Sequence, residues 1–236
     1  SLRLPGGQRV SVPVAHISEV SFTGPEAIRG TTYSKRILAW GAFSDRDDEF
    51  VKTLRALKAA KPGWEIVENF SRKFDADFRR ELFRSRALLI PEMEILPAED
   101  MTKLGAALRP IADRYVKSGR NIVILGVTDK QRAFLKAAGL FDVKQNRTVD
   151  NQLVTLTPPA KIFAEGVAPS FKALNATYCY FTGPTLPATV LGTCPVGPVV
   201  LGRRIGRGWV ILMGMDFYEV SSKMGTLLTN TLTKQR

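Results

Sequence analysis

The residues of this chain best suited to chemistry are Ser44, Asp45, Glu92, Glu94, Thr128, Asp129, Asp216 and Tyr218. Each lies just past an apolar run that reads as a strand. Carboxylates and hydroxyls gathered along one sheet edge can bind sugar hydroxyls, hold a cation or work as an acid–base pair. Glu92 and Asp216 are the natural pair for a carbohydrate-active hydrolase or isomerase, with Tyr218 stacking on or hydrogen-bonding to a sugar. A local reading competes with this one. Ser44 and Asp129 belong to the residue types preferred as helix N-caps, and that reading is favoured for both. Thr128 as a nucleophile would need a base, and only Asp129 and Lys130 adjoin it. The sole histidine is His16, and the only cysteines are Cys179 and Cys194. So sparse a set of soft ligands argues against zinc. Carboxylates could hold calcium, but no EF-hand pattern is present. No cofactor is expected.

These residues need elements to position them. Apolar runs at 37–40, 64–67, 87–90 and 121–125 read as strands. The Val210–Met213 run is apolar on both faces, as befits a strand covered by helices on each side. Phe50, Leu54 and Leu57 recur at helical spacing, as do Phe74, Phe78 and Leu82. Met101, Leu104, Leu108, Ile111 and Tyr115 define a long helix that Pro110 should kink. Phe134, Leu135 and Ala138 belong to a further helix, and a last one runs from about Ser222 to Leu232. Ser44 or Asp45 can cap the helix before Phe50. A strand-bearing excursion spans 143–157. Near 198–213, two strands flank a turn in which Gly206 and Gly208 supply the φ > 0 freedom of a hairpin. Cys179 and Cys194 flank a stretch rich in Pro, Thr and Gly that reads as a loop.

Strands alternating with helices predict an α/β domain over 34–236 with a mostly parallel, flavodoxin-like sheet, helices on both faces and a late β-hairpin. Ligand crevices in such sheets lie beyond the carboxyl ends of the strands. Residues 1–33 differ from the rest. Val10, Val12 and Val14 alternate, and Pro5-Gly6-Gly7 reads as a turn, which predicts a small N-terminal β-hairpin extension and linker.

Several stretches, in order, resemble the class I glutamine amidotransferase-like fold, above all its ThuA-like and related extracytoplasmic branches. They are LLIPEMEILPAEDMTKL, IADRYVKSGRNIVILG, AKIFAEGVAPSFKALNATYCY, PVVLGRRIGRGWVILMGMDFYE and MGTLLTNTL. The resemblance covers roughly 36–232. It implies the fold and departs from the family's chemistry. An amidotransferase glutaminase places a nucleophilic Cys on the sharp turn after its fourth strand, followed by His and a carboxylate. Here that turn is Gly126-Val127-Thr128-Asp129-Lys130-Gln131, with no Cys, and His16 sits in the N-terminal segment. The expectation is a non-catalytic binding or scaffolding domain, a pseudoenzyme of an exported or cell-surface protein.

Composition narrows the partners. The chain has 236 residues and a formal net charge of +12. An anionic polymer is a natural partner for such a surface. The charges are dispersed, however, the aromatics sit in core-like positions, and no nucleic-acid-binding motif occurs. Nucleic acid is therefore disfavoured, though the charge keeps it open. A glycan, or a protein partner or second copy meeting the N-terminal hairpin through its strand edges, is the preferred expectation. No run is long enough to span a membrane. A Cys179–Cys194 disulfide is expected, because Pro184, Pro187 and Gly192 let the chain turn back. It would fit an extracytoplasmic location; free thiols would fit the cytoplasm.

Overall fold

The computed structural model describes residues 2–3, 9–10, 35–95 and 98–234. The chain divides into two compact units, Ser1–Thr32 and Tyr33–Arg236. In the first, β1 (Leu2–Arg3) pairs antiparallel with β2 (Arg9–Val10). The remainder of the expected hairpin extension, His16 included, lies outside the described residues.

The second unit opens as the apolar runs predict. β3 (Arg36–Trp40), β4 (Glu65–Asn69), β5 (Ala87–Ile90), β6 (Asn121–Leu125) and β13 (Gly208–Met213) run parallel to one another. Helices α1 (Glu49–Ala60), α2 (Ala76–Arg84), α3 (Ala98–Lys117) and α4 (Arg132–Ala137) connect them, and α5 (Ser222–Thr233) closes the unit. Asp75 caps α2 by accepting the Phe78 N–H at 2.9 Å, and Ser221 caps α5 through the Met224 N–H at 3.3 Å. Pro110 lies inside α3, which continues to Lys117.

Alternation along the central strands splits the core in two. Leu38, Trp40, Leu88, Ile90, Ile122, Ile124, Val210 and Leu212 pack with α2, α3 and α4 on one face. Ile37, Ala39, Ala87, Leu89, Val123, Leu125, Ile211 and Met213 pack with α1 and α5 on the other. No helix among the described residues is long and apolar enough to cross a membrane.

The expected mostly parallel sheet is not what forms. The main sheet has nine strands in the order β4-β3-β5-β6-β13-β12-β11-β8-β9. Its second half is antiparallel: β12 (Gly197–Ile205), β11 (Thr189–Cys194), β8 (Leu153–Leu156) and β9 (Ser170–Lys172). A separate two-stranded ribbon pairs β7 (Val143–Asp150) with β10 (Ala176–Thr182). The stretch read as a loop between the cysteines therefore contributes to two strands. Its register shifts, at Cys179/Tyr180 and on both sides of Gly192, interrupt the period-two pattern by which a strand is recognised.

The late hairpin also refines its glycines. Gly206 takes φ +61 in the turn between β12 and β13. Gly208 does not use positive φ. A Cβ there would lie 2.5 Å from the Val116 carbonyl oxygen and overlap that of Arg120, so its role is close packing on the end of α3.

Cys179 and Cys194 face each other with sulfurs 3.3 Å apart, as two buried free thiols. The chain brings the pair together as expected, but the separation exceeds the ~2.05 Å of a disulfide, so the bridge is not formed in this structure. Burial pushes the Cys179 thiol upward, toward its protonated form.

Candidate functional site

Counted along the chain, the five parallel strands have the order 2-1-3-4-5. The order reverses between β3 and β5, and the crevice of such a sheet opens at the carboxyl ends of those two strands. The turn after β3 carries Ser44 and Asp45. The segment after β5 carries Glu92 and Glu94. Beyond β13, Asp216 and Tyr218 complete the edge.

Their side chains meet. The Asp45 N–H donates to Glu94 Oε2 at 3.2 Å, and the Tyr218 hydroxyl donates to Glu94 Oε1 at 3.2 Å. The Asp216 carboxylate accepts the Tyr218 N–H at 2.8 Å. Lys52 of α1 sits over the Tyr218 ring, 5.5 Å from its centre, and pairs with Asp48. Ser44 is buried at 1% exposure, and its hydroxyl has no partner among the described residues.

Glu92 lies deeper, at 6% exposure. The Tyr178 hydroxyl, on β10, reaches its Oε2 at 3.5 Å. Burial, reinforced by the negative charges of Glu49, Glu94 and Asp216, pushes its carboxyl up to about 9. Glu49, at the start of α1, is fully buried. Its Oε1 accepts the Phe217 N–H at 3.3 Å, while Oε2 has no partner among the described residues. Burial first, then Asp216, pushes Glu49 up to about 8. Asp216 is also raised, mainly by burial. Tyr178 and Tyr218 are raised too, each mainly by burial and then by the neighbouring carboxylate. At neutral pH the centre therefore holds two protonated carboxylic acids, each an O–H donor and a carbonyl acceptor, flanked by phenol hydroxyls.

Two of the expected site residues are engaged elsewhere. Asp129 is tied to β7, its N–H donating to Gln145 Oε1 at 3.0 Å and its Oδ1 accepting the Gln145 N–H at 3.2 Å. The Thr128 N–H donates to Gln131 Oε1 at 3.0 Å, so this turn is a cap held by its own glutamine. The cap role expected of Ser44 or Asp45 is not found. Asp48 precedes α1 and its side chain makes no capping bond. Glu49 and Tyr178 are the residues that sequence reasoning missed. An acid in the first turn of a helix reads as a partner for the helix dipole. The available signal was its spacing: Glu49 and Thr53 are buried beside Phe50, Leu54 and Leu57.

The turn after β6 begins with Gly126, packed against Glu92. Gly126 has φ +51. A Cβ on it would lie 3.0 Å from Glu92 Cδ and 3.1 Å from Glu92 Cβ, and would overlap Oε2. The Glu92 carboxyl fills the space that a side chain at position 126 would require. Among the described residues, no group of three or more His, Cys, Asp or Glu side chains is arranged to hold a metal ion.

A doubly covered sheet with this strand order, an antiparallel extension and a site at the order reversal defines an α/β domain with a ThuA-like fold. The chain is similar to a ThuA-like protein from Bacteroides uniformis, at 14% identity and a TM-score of 0.56, covering 86% of this chain and 91% of that one. It is also similar to a cytoplasmic protein from Salmonella typhimurium, at 13% identity and a TM-score of 0.57, covering 84% and 96%. A β-galactosidase from Bacillus circulans sp. alkalophilus aligns at 11% identity and a TM-score of 0.55, over 85% of this chain but 30% of that one. No family model matches the sequence, and no curated protein does.

Proposed function

We propose that this chain is a non-catalytic binding domain, a degenerate member of the amidotransferase-like fold, belonging to an exported or cell-surface protein. The observation that carries the reading is the contact of Glu92 with Gly126, where any added side chain would collide with a buried carboxyl. Half-buried Tyr178, Asp216 and Tyr218, backed by the buried acids of Glu49 and Glu92, offer hydrogen-bond donors and acceptors to a polyhydroxyl ligand such as a glycan. The test is calorimetric titration with a panel of neutral oligosaccharides, followed by recovery of the sugar, together with an ammonia-release assay on glutamine. The expected result is binding of one oligosaccharide class, recovered intact, and no ammonia. Turnover of glutamine, or failure of every sugar to bind, would end this reading.

A second reading rests on a different observation. Glu92 is held protonated while Asp216, raised less, lies close enough to act on it electrostatically. This is the asymmetry that a glycosidase acid and its partner carboxylate need. Reducing-sugar release that Glu92→Gln abolishes would establish it in place of the binding role.

Export has its own check. In an oxidising compartment, Cys179 and Cys194 would each lose a hydrogen to an oxidant such as oxidised glutathione and form a disulfide closing a loop of ~15 residues, worth ~3 kcal/mol in the chain-entropy model. Native protein purified without reductant should then be two hydrogens lighter than its reduced form and should take up thiol reagent only after reduction. Two thiols that react once the native protein is unfolded, with no reductant added, would instead place it in the cytoplasm.

A further inference from the structure

The sequence places the aromatics in the core, and Phe181 departs from that pattern. It is 59% exposed, near the end of β10 and opposite Lys144 of β7. It lines an open cavity of about 450 Å³ that shares no residue with the carboxyl site. Arg132 and Lys136 of α4 face the same cavity, with Asp142 and Lys144. Asp142 is already engaged, by Lys136 at 3.3 Å and by the Thr185 hydroxyl. That neutralises one cation of the three. Among the described residues, the charged groups of Arg132 and Lys144 make no ion pair.

A cavity of this size accommodates a small molecule rather than only an ion. Two uncompensated cations call for an anion, and guanidinium and ammonium groups are both well suited to phosphate. An exposed phenyl face beside them is a stacking platform for a planar ring, which a nucleobase supplies. We infer that this cavity binds a nucleoside phosphate, with the base on Phe181 and the phosphate between Arg132 and Lys144. The ligand could be a free nucleotide or one nucleotide of a single strand. The net charge of +12 favours either source over a neutral competitor.

The test is calorimetric titration of the full chain with AMP and with ribose 5-phosphate, plus fluorescence anisotropy of a labelled riboadenylate decamer, all at low salt. AMP should bind at least about fivefold more tightly than ribose 5-phosphate, the lower end of a base-stacking contribution. Phe181→Ala should erase that difference. The Arg132→Glu, Lys144→Glu double variant should weaken both small ligands about tenfold or more. For the decamer it should also reduce the log–log salt slope by roughly 1.4, two contacts at about 0.7 each. All three substituted side chains are at the surface, and an unchanged circular-dichroism melt verifies that the variants fold. A decamer bound far more tightly than AMP assigns the site to a single strand, and equal affinity assigns it to free nucleotide. Equal binding of AMP and ribose 5-phosphate, a preference for AMP over ribose 5-phosphate that survives Phe181→Ala, or no heat with AMP into the millimolar range overturns the inference.

Discussion

Glu92→Gln is expected to stabilise the protein at pH 8 by up to about 5 kcal/mol and to leave its stability at pH 4 nearly unchanged. The sign follows from where the proton sits. Below the ordinary glutamate value of 4.5, both folded and unfolded states carry it, and burial of the carboxyl costs little. Between about 4.5 and about 9, the unfolded chain ionises while folded Glu92 stays protonated. The folded state then binds more protons, so stability falls as pH rises. Above about 9 both states are ionised and the slope levels off. Glutamine is neutral at every pH and removes this dependence. Glu49→Gln should act alike, with its window closing near 8, and its Oε1 can still accept the Phe217 N–H. Glu49 also raises Glu92 by repulsion, so Glu49→Gln should lower the Glu92 midpoint. Urea unfolding of each variant across pH 4–9 measures this directly. Parallel stability–pH curves for wild type and Glu92→Gln would mean that the carboxyl is ionised in the folded state.

Gly126→Ala is expected to destabilise by about 3 kcal/mol, which lowers the melting temperature by roughly 6–12 °C for a domain of this size. About 1 kcal/mol comes from holding a side chain at φ +51. The rest comes from collision with Glu92, whose Cδ and Cβ as well as its carboxyl oxygen stand in the way, so rotating the carboxyl does not relieve it. The two parts separate in a double-mutant cycle. In a Glu92→Gly background, which removes the Cβ as well, the Gly126→Ala cost should fall to about 1 kcal/mol, the backbone part alone. An equal cost in both backgrounds would show that Glu92 does not occupy the turn.

The parallel half of the fold was legible because its signals are local and strong. β5 is an uninterrupted apolar run, as is β6 after Asn121, and α1, α2 and α3 carry clean helical stripes. Strand ends then select Glu92, Glu94, Asp216 and Tyr218 with no knowledge of the fold beyond its class, and these residues do meet. The antiparallel half was hidden for physical reasons. The bulges around Gly192 break the alternation of β11, and the turn with Pro184 and Pro187 that precedes it makes the whole stretch read as a loop. With β10 obscured, Tyr178 had no element to place it beside Glu92. Thr128 and Asp129 satisfied the strand-end rule and yet serve the turn, because Gln131 and Gln145 provide partners that a one-dimensional reading cannot see. Glu49 was lost because an acid at a helix start is ordinarily solvated, and only the packing of Phe217 and α5 against α1 reveals its burial.

The pair of protonated acids is the feature on which the binding role depends. Carbon-13 labelling of the glutamate carboxyls, with Glu49 and Glu92 assigned by their glutamine variants, follows both groups through a titration from pH 4 to pH 10. Midpoints near 8 for Glu49 and near 9 for Glu92 are the predicted result. Two midpoints near the ordinary value of 4.5 would contradict it, leaving Glu49 and Glu92 charged beside Glu94 and Asp216.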